Sequence, residues 1–294
     1  MIEKARKNLN RILDRSNRPP LLTLHIYKRH VLMMVIVVWL VLLGYGAYFR
    51  FFMVLPQGAA TILPEMSLDL TDKKILILSP HCDDEILSSA GLIQRAQQNN
   101  SNVRVVITTD CNSRKIGTKR QEESKKALES VGIKNDNILF WNLPEKDKSS
   151  QQNIKDSDVY GLIKSEVESF LPDLLLAPHF DDTHIDHKIV GSSVAEIIEE
   201  EKNIKPIVAY YLIHYNFLKY PSPSGFNPDD YLLPPVRLIG LNEEWFKLTL
   251  SGEEIENKKE AIFMYKSQLS IRNPILQDLL LDFIRQNELF MIKK

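Results

Sequence analysis

Cysteine is nearly missing from this chain: among 294 residues only Cys82 and Cys111 occur. That excludes a small fold stapled by a disulfide framework. It leaves a single bridge open, because both residues would follow consecutive strands of a parallel sheet. No G-x-G-x-x-G follows the first apolar strand, which argues against a dinucleotide-binding Rossmann protein. Excess charge is missing overall; the formal net charge is −1, and no nucleic-acid partner is expected. With 44% hydrophobic residues the chain is globular, long enough for one large domain or two small ones.

Charge is absent altogether from Val31 to Phe49, VLMMVIVVWLVLLGYGAYF, a run long enough to span a bilayer as a helix. A core helix of that length would keep a polar face. Residues 1–30 hold eight basic residues (Lys4, Arg6, Lys7, Arg11, Arg15, Arg18, Lys28, Arg29) against Glu3 and Asp14, a surplus of six, so the rest carries −7. Lys28, Arg29 and His30 abut the apolar run. The positive-inside tendency then predicts a cytoplasmic N-terminus and an extracytoplasmic remainder. The basic region is longer than a signal-peptide n-region and no small-x-small site directly follows the run, Gly58-Ala59-Ala60 a little later being a weak candidate, so an uncleaved anchor is expected. The resulting organisation is a basic tail 1–30, a transmembrane anchor 31–55, a linker 56–71 with Pro56, Gly58 and Pro64, and a globular domain 72–294.

Within that domain KILILS (74–79), VRVVITT (103–109), ILFWNL (138–143), DLLLAP (173–178) and PIVAYYLI (206–213) read as strands. Residues 86–98, 118–131, 157–170 and 188–201 read as helices. Strand and helix alternate, and the strands are apolar with little alternation, as in a sheet covered on both faces. The fold class expected is α/β, a Rossmann-like doubly wound, mostly parallel sheet, preceded by one N-terminal transmembrane helix. The proline-rich stretch 220–236 reads as a long surface loop.

At the carboxyl end of KILILS stands PHCDDE, a histidine and three successive carboxylates. Open α/β sheets bind ligands at that end of their strands. Adjacent carboxylates repel one another, a cost that a bound cation removes. The plain alternative is an acidic helix start with Asp83 or Asp84 as cap. DLLLAP is followed in the same way by HFDDTHIDHKIVG (179–191), again histidines and carboxylates leading into a helix. Imidazole and carboxylate suit zinc, and a catalytic zinc usually keeps three protein ligands and one position for water. Hydrolysis of an amide or ester is the natural chemistry, with a neighbouring carboxylate taking the proton.

Pro80-His81-Cys82-Asp83-Asp84-Glu85 and Asp182-Thr183-His184-Ile185-Asp186-His187 resemble the two motifs of the LmbE-like, PIG-L-type zinc-dependent N-deacetylases of N-acetylglucosamine-containing substrates. Those motifs are His-Pro-Asp-Asp-Glu after a strand and Asp-x-His-x-Asp-His. Weaker likenesses are Arg120-Gln121-Glu122-Glu123 and the stretch 258–268, and the resemblance covers roughly 72–290. Cys82 departs from the family's usual proline, and a thiol there could bind the metal or be oxidised. The resemblance implies that His81, Asp84 and His187 hold Zn2+, that Asp83 is the general base and that His184 faces the developing oxyanion. Two adjacent carboxylates cannot both reach one metal from a tight turn, which supports that division. Glu85 and Asp186 are expected to orient ligands. Arg120 resembles the position that grips the substrate's phosphate or sugar, with a surface ion pair as the plain alternative. His179 and His214 read as structural or rim residues, and Ser267 and Gln268 as fixing the C-terminal segment against the site.

The expected function is therefore removal of an N-acetyl group from an envelope glycan or glycolipid by an enzyme anchored through one helix. Two rivals stand beside it. One is an anchored carbohydrate-binding module with a degenerate site. The other is a metal-dependent esterase or phosphoesterase, the latter more often holding two metals about 3.5–4 Å apart.

Overall fold

The computed structural model describes residues 27–48, 54–112, 115–145, 156–201, 205–215, 220–221, 227–240, 243–270 and 279–293. The chain divides into two compact units, Met1–Phe49 and Arg50–Lys294. In the first, helix α1 spans Lys28–Tyr48 and has no charged residue beyond Arg29. Its 21 residues run about 31 Å, enough for the roughly 30 Å hydrocarbon core of a bilayer. The basic tail from Lys4 to Arg18, with Glu3 and Asp14, lies outside the described residues, as does the stretch 49–53 of the expected anchor.

The second unit is built on a seven-stranded sheet in the order β3-β2-β1-β4-β5-β7-β6. Strands β1 (Lys74–Ser79), β2 (Asn102–Thr109), β3 (Ile138–Leu143), β4 (Leu174–Pro178) and β5 (Ile207–Tyr211) run parallel. Strands β6 (Glu243–Thr249) and β7 (Asn287–Lys293) close one edge antiparallel. Ile75, Leu76, Ile77 and Leu78 are all fully buried. That is why β1 shows no polar alternation: helices cover both of its faces. The helices of this unit are α2 (Asp84–Gln98), α3 (Gly117–Ser130), α4 (Asp156–Phe170), α5 (Ile185–Glu200), α6 (Gly252–Ile262) and the short α7 (Lys266–Leu269). The mostly parallel, doubly wound order predicted from the strand pattern is the one observed.

Two strands escape the sequence pattern. β7 opens on Asn287 and Glu288, both buried, where a half-buried strand would place only apolar residues. Glu288 is accommodated because its carboxylate accepts from Lys258 Nζ (2.9 Å) and from the backbone N–H groups of Gly91 (2.8 Å) and Leu92 (3.0 Å). This buried pair ties β7 and α6 to α2, and breaking it from one side would leave an uncompensated charge. The stretch 56–71 also packs onto this unit. Met66 is buried, its N–H donates to Lys247 O (2.7 Å), and Glu65 accepts from Thr249 N (2.7 Å). Of the proline-rich stretch, Tyr220, Pro221 and 227–236 are described and contain neither strand nor α-helix.

Candidate functional site

Strand order reverses between β1 and β4: the chain leaves β1 toward β2 and β3, and leaves β4 toward β5. A crevice opens at the carboxyl ends of two such strands, and both histidine-carboxylate clusters fall there. The turn after β1 is drawn tight by its own polar groups. Ser79 Oγ lies 2.7 Å from His81 O and 2.9 Å from Glu85 Oε2, and His81 N donates to Asp84 Oδ2 (2.9 Å). Asp83 takes a positive φ of 138°, a backbone state rarely adopted outside glycine. On the other side, α5 can approach β4 because residue 191 is glycine. A Cβ there would stand 2.3 Å from Pro178 O and 2.9 Å from Phe180 N.

Three atoms converge from these two loops. His81 Nδ1 lies 3.1 Å from His187 Nε2 and 3.3 Å from Asp84 Oδ2, and His187 Nε2 lies 2.9 Å from Asp84 Oδ2. Ligand bonds of about 2.0–2.1 Å in a tetrahedral zinc site put neighbouring ligand atoms about 3.3 Å apart, close to these spacings. Burial opposes charge on Asp84, but the His187 and His81 imidazoles outweigh it and hold the carboxyl well below its usual range. Burial likewise opposes charge on both imidazoles. Asp84 and Asp182 nevertheless carry His187 well above its ordinary value, and Asp186 and Asp84 raise His81 to about 9. The carboxylates thus favour positive charge on both rings, yet protons on both facing nitrogens, 3.1 Å apart, would clash. A divalent cation between them satisfies both lone pairs and the carboxylate, so the donor set fits a metal.

The far nitrogen of each imidazole meets a carboxylate. His81 Nε2 is 3.2 Å from Asp186 Oδ2, and His187 Nδ1 is 3.2 Å from Asp182 Oδ2. Such partners fix ring orientation and tautomer. Asp186 was expected in this role; Asp182 was not, although it opens the second motif. Asp182 is also the hub of its loop, accepting from His184 N (2.8 Å), Ile213 N (3.2 Å) and His214 N (2.9 Å). Asp182→Asn is accordingly expected to weaken metal affinity about 10–100-fold while leaving the fold intact, as read by competition against a zinc chelator.

Asp83 stands beside this centre. Its Oδ2 lies 3.6 Å from an Arg120 guanidinium nitrogen, and burial pushes its carboxyl up to about 7 against the pull of that arginine. Arg120 is only 6% exposed. It donates to the carbonyls of Cys111 (3.2 Å) and Cys82 (3.3 Å), pairs with Glu145 (3.4 Å), and packs on Gln268 with the amide oxygen turned toward the guanidinium. Cys82 and Cys111 are joined by a disulfide, so no thiol is left beside the metal loop. Glu85 accepts from Asp83 N (3.1 Å), from Tyr265 Oη (2.8 Å) and from Ser124 Oγ, bracing the turn of Asp83 against α3 and the C-terminal segment. Glu123 accepts from Ser267 N (2.9 Å) and Ser267 Oγ, so the weaker sequence likenesses at 120–123 and 258–268 meet in space.

His184 caps α5, its Nδ1 accepting from Asp186 N at 3.3 Å. Burial and the neighbouring imidazoles lower it to about 3, so the ring is neutral. With Nδ1 accepting, the proton sits on Nε2, and His184 is a hydrogen-bond donor, 31% exposed at the mouth of the site. His179 is apart from this group: buried, stacked on Trp245 at 5.5 Å, with Nδ1 accepting from Asp181 N (3.0 Å). His214, read from the sequence as a structural or rim residue, lies among the imidazoles. Its ring is 4.8 Å from that of His187 and 5.3 Å from that of His184.

The family described as PIG-L, GlcNAc-PI de-N-acetylase, matches residues 76–198, a span that runs from β1 into α5 and contains both clusters. Residues 76–198 are thus similar to a PIG-L family domain. Among solved structures, N,N'-diacetylchitobiose deacetylase from Pyrococcus horikoshii is 18% identical. That match covers 76% of this chain and 87% of that one, with a TM-score of 0.52. The zinc-inhibited form of teicoplanin deacetylase Orf2 is 16% identical, covering 74% and 97%, with a TM-score of 0.54. The A40926 pseudoaglycone deacetylase is 16% identical, covering 75% and 97%, with a TM-score of 0.53. At these identities the likeness is one of fold.

Proposed function

We propose that this protein is a zinc-dependent hydrolase that removes the N-acetyl group from an N-acetylglucosamine-containing glycan or glycolipid. The observation that carries the reading is the convergence of His81 Nδ1, Asp84 Oδ2 and His187 Nε2, with a buried, non-converging carboxylate, Asp83, beside them. The deacetylase fold and the family match support it. When bound by His81, Asp84 and His187, zinc supplies Lewis acidity to the amide carbonyl and to water. Asp83 takes the proton of the attacking water as its oxygen adds to the carbonyl carbon. His184 donates from Nε2 to the carbonyl oxygen as negative charge develops there. The C–N bond then breaks, the proton held by Asp83 passes to the departing nitrogen, and acetate and the free amino sugar result.

Arg120, read from the sequence as a substrate group, we assign instead to Asp83. Its guanidinium is buried and engaged with that carboxylate, Glu145 and two carbonyls, an arrangement that fixes the base against recoil. Asp182 and Asp186 hold the two ligating imidazoles in register.

A second grouping, His81 with His184 and Asp186, is the observation that favours a two-metal phosphoesterase. It shares His81 with the first, and His81 Nε2 and His184 Nδ1 already face Asp186 Oδ2 and Asp186 N. One zinc per chain is therefore expected in purified protein, and two would favour the phosphoesterase. Incubation with free, polymeric and lipid-linked N-acetylglucosamine conjugates tests the substrate class by released acetate.

For location, the basic tail before α1 and the disulfide point the same way. A bridge between Cys82 and Cys111 persists in an oxidising compartment and is rare in the cytosol. We place the second unit outside the cytoplasm, on an uncleaved anchor. A reporter that functions only outside the cytoplasm, fused after residue 294, is expected to be active, and both cysteines are expected to resist alkylation until reduced. A reporter active only in the cytoplasm, with both thiols free, would reverse the orientation.

A further inference from the structure

We propose that His214 is a fourth protein ligand of the metal, an inference that rests on the metal centre described above. Nothing in either motif points to this residue: it follows β5, and the sheet order β1-β4-β5 carries it to the crevice. One ring nitrogen of His214 lies within 4.8 Å of the ligand atoms of His81, Asp84 and His187, so a single cation can gather all four. The position is built from both sides of the peptide. His214 N donates to Asp182 Oδ2 (2.9 Å), the carboxylate that also faces His187 Nδ1, while His214 O accepts from Thr183 N (2.8 Å). Asp182 thus sets the ring of His187 and the backbone of His214 together.

Among the described residues the His214 ring has no hydrogen-bond partner, and its neighbours are the imidazoles of His184 and His187. Ring contacts leave the lone pair of this partly buried imidazole unused, and a cation gives it a partner. Three imidazoles and one carboxylate are a donor set that zinc accepts, and a catalytic zinc can expand to five donors, so the site stays open to water or substrate.

The test uses the full chain in detergent. X-ray absorption of the zinc-loaded protein is expected to count three imidazoles, falling to two in His214→Ala, and the zinc dissociation constant is expected to rise at least about 10-fold. In the cobalt-substituted protein the visible absorption is expected to shift in both His214→Ala and His214→Gln. Two imidazoles in the parent protein, or an unchanged affinity and cobalt spectrum in both variants, would overturn the proposal while leaving the three-ligand centre standing. A parent chain that binds no metal at all would instead remove the centre itself.

Discussion

Asp83→Asn is expected to keep its zinc and its substrate affinity while kcat falls by roughly 10²–10⁴-fold, the range for loss of general-base catalysis. The amide is nearly isosteric with the carboxylate. The geometry gives no reason for metal loss, because Asp83 Oδ2 faces Arg120 at 3.6 Å while Asp84 Oδ2 meets both imidazoles. Steady-state kinetics with metal analysis on the same sample reads both quantities. Unchanged turnover with zinc bound would send the proton elsewhere, and Asp186 or Glu85 would be examined next. Loss of zinc with turnover would exchange the roles of the two aspartates.

His187→Ala and Asp84→Ala are each expected to abolish hydrolysis and empty the site together. Each removes an atom of the 2.9–3.3 Å triangle and leaves a buried partner without its counterpart: Asp182 in the first case, His81 and His187 in the second. Part of the effect appears as instability, because an unpaired buried ionisable group is costly. His184→Ala is the useful contrast. That residue meets the site from its mouth, so its loss should lower kcat and leave the metal in place. Full zinc occupancy in both ligand variants would mean that the metal is held by other residues.

The fold was legible where burial is uniform. β1, β4 and β5 are runs of apolar residues because both faces are covered, and the two clusters announce themselves because each follows such a run. β7 was not legible, since Glu288 is charged yet interior, and only the distant Lys258 and the N–H groups of α2 explain it. In the site, Asp186 could be read from its place within the second motif. The role of Asp182 depends on how its loop folds back on His187 and His214, which spacing alone does not determine. The burial of Arg120 was not legible for the same reason. An arginine opening a Glu-rich helix looks exposed, and its burial follows from the joined loops of Cys82 and Cys111, whose carbonyls it binds.

Metal-dependent deacetylation is tested by the acetate released from a panel of N-acetylglucosamine conjugates by the full chain in detergent, as purified, after stripping with a chelator, and after reloading with zinc. Release is expected to vanish on stripping and to return in proportion to zinc bound. Release that survives metal removal, or a zinc-loaded protein that frees no acetate from any conjugate in the panel, would contradict the account.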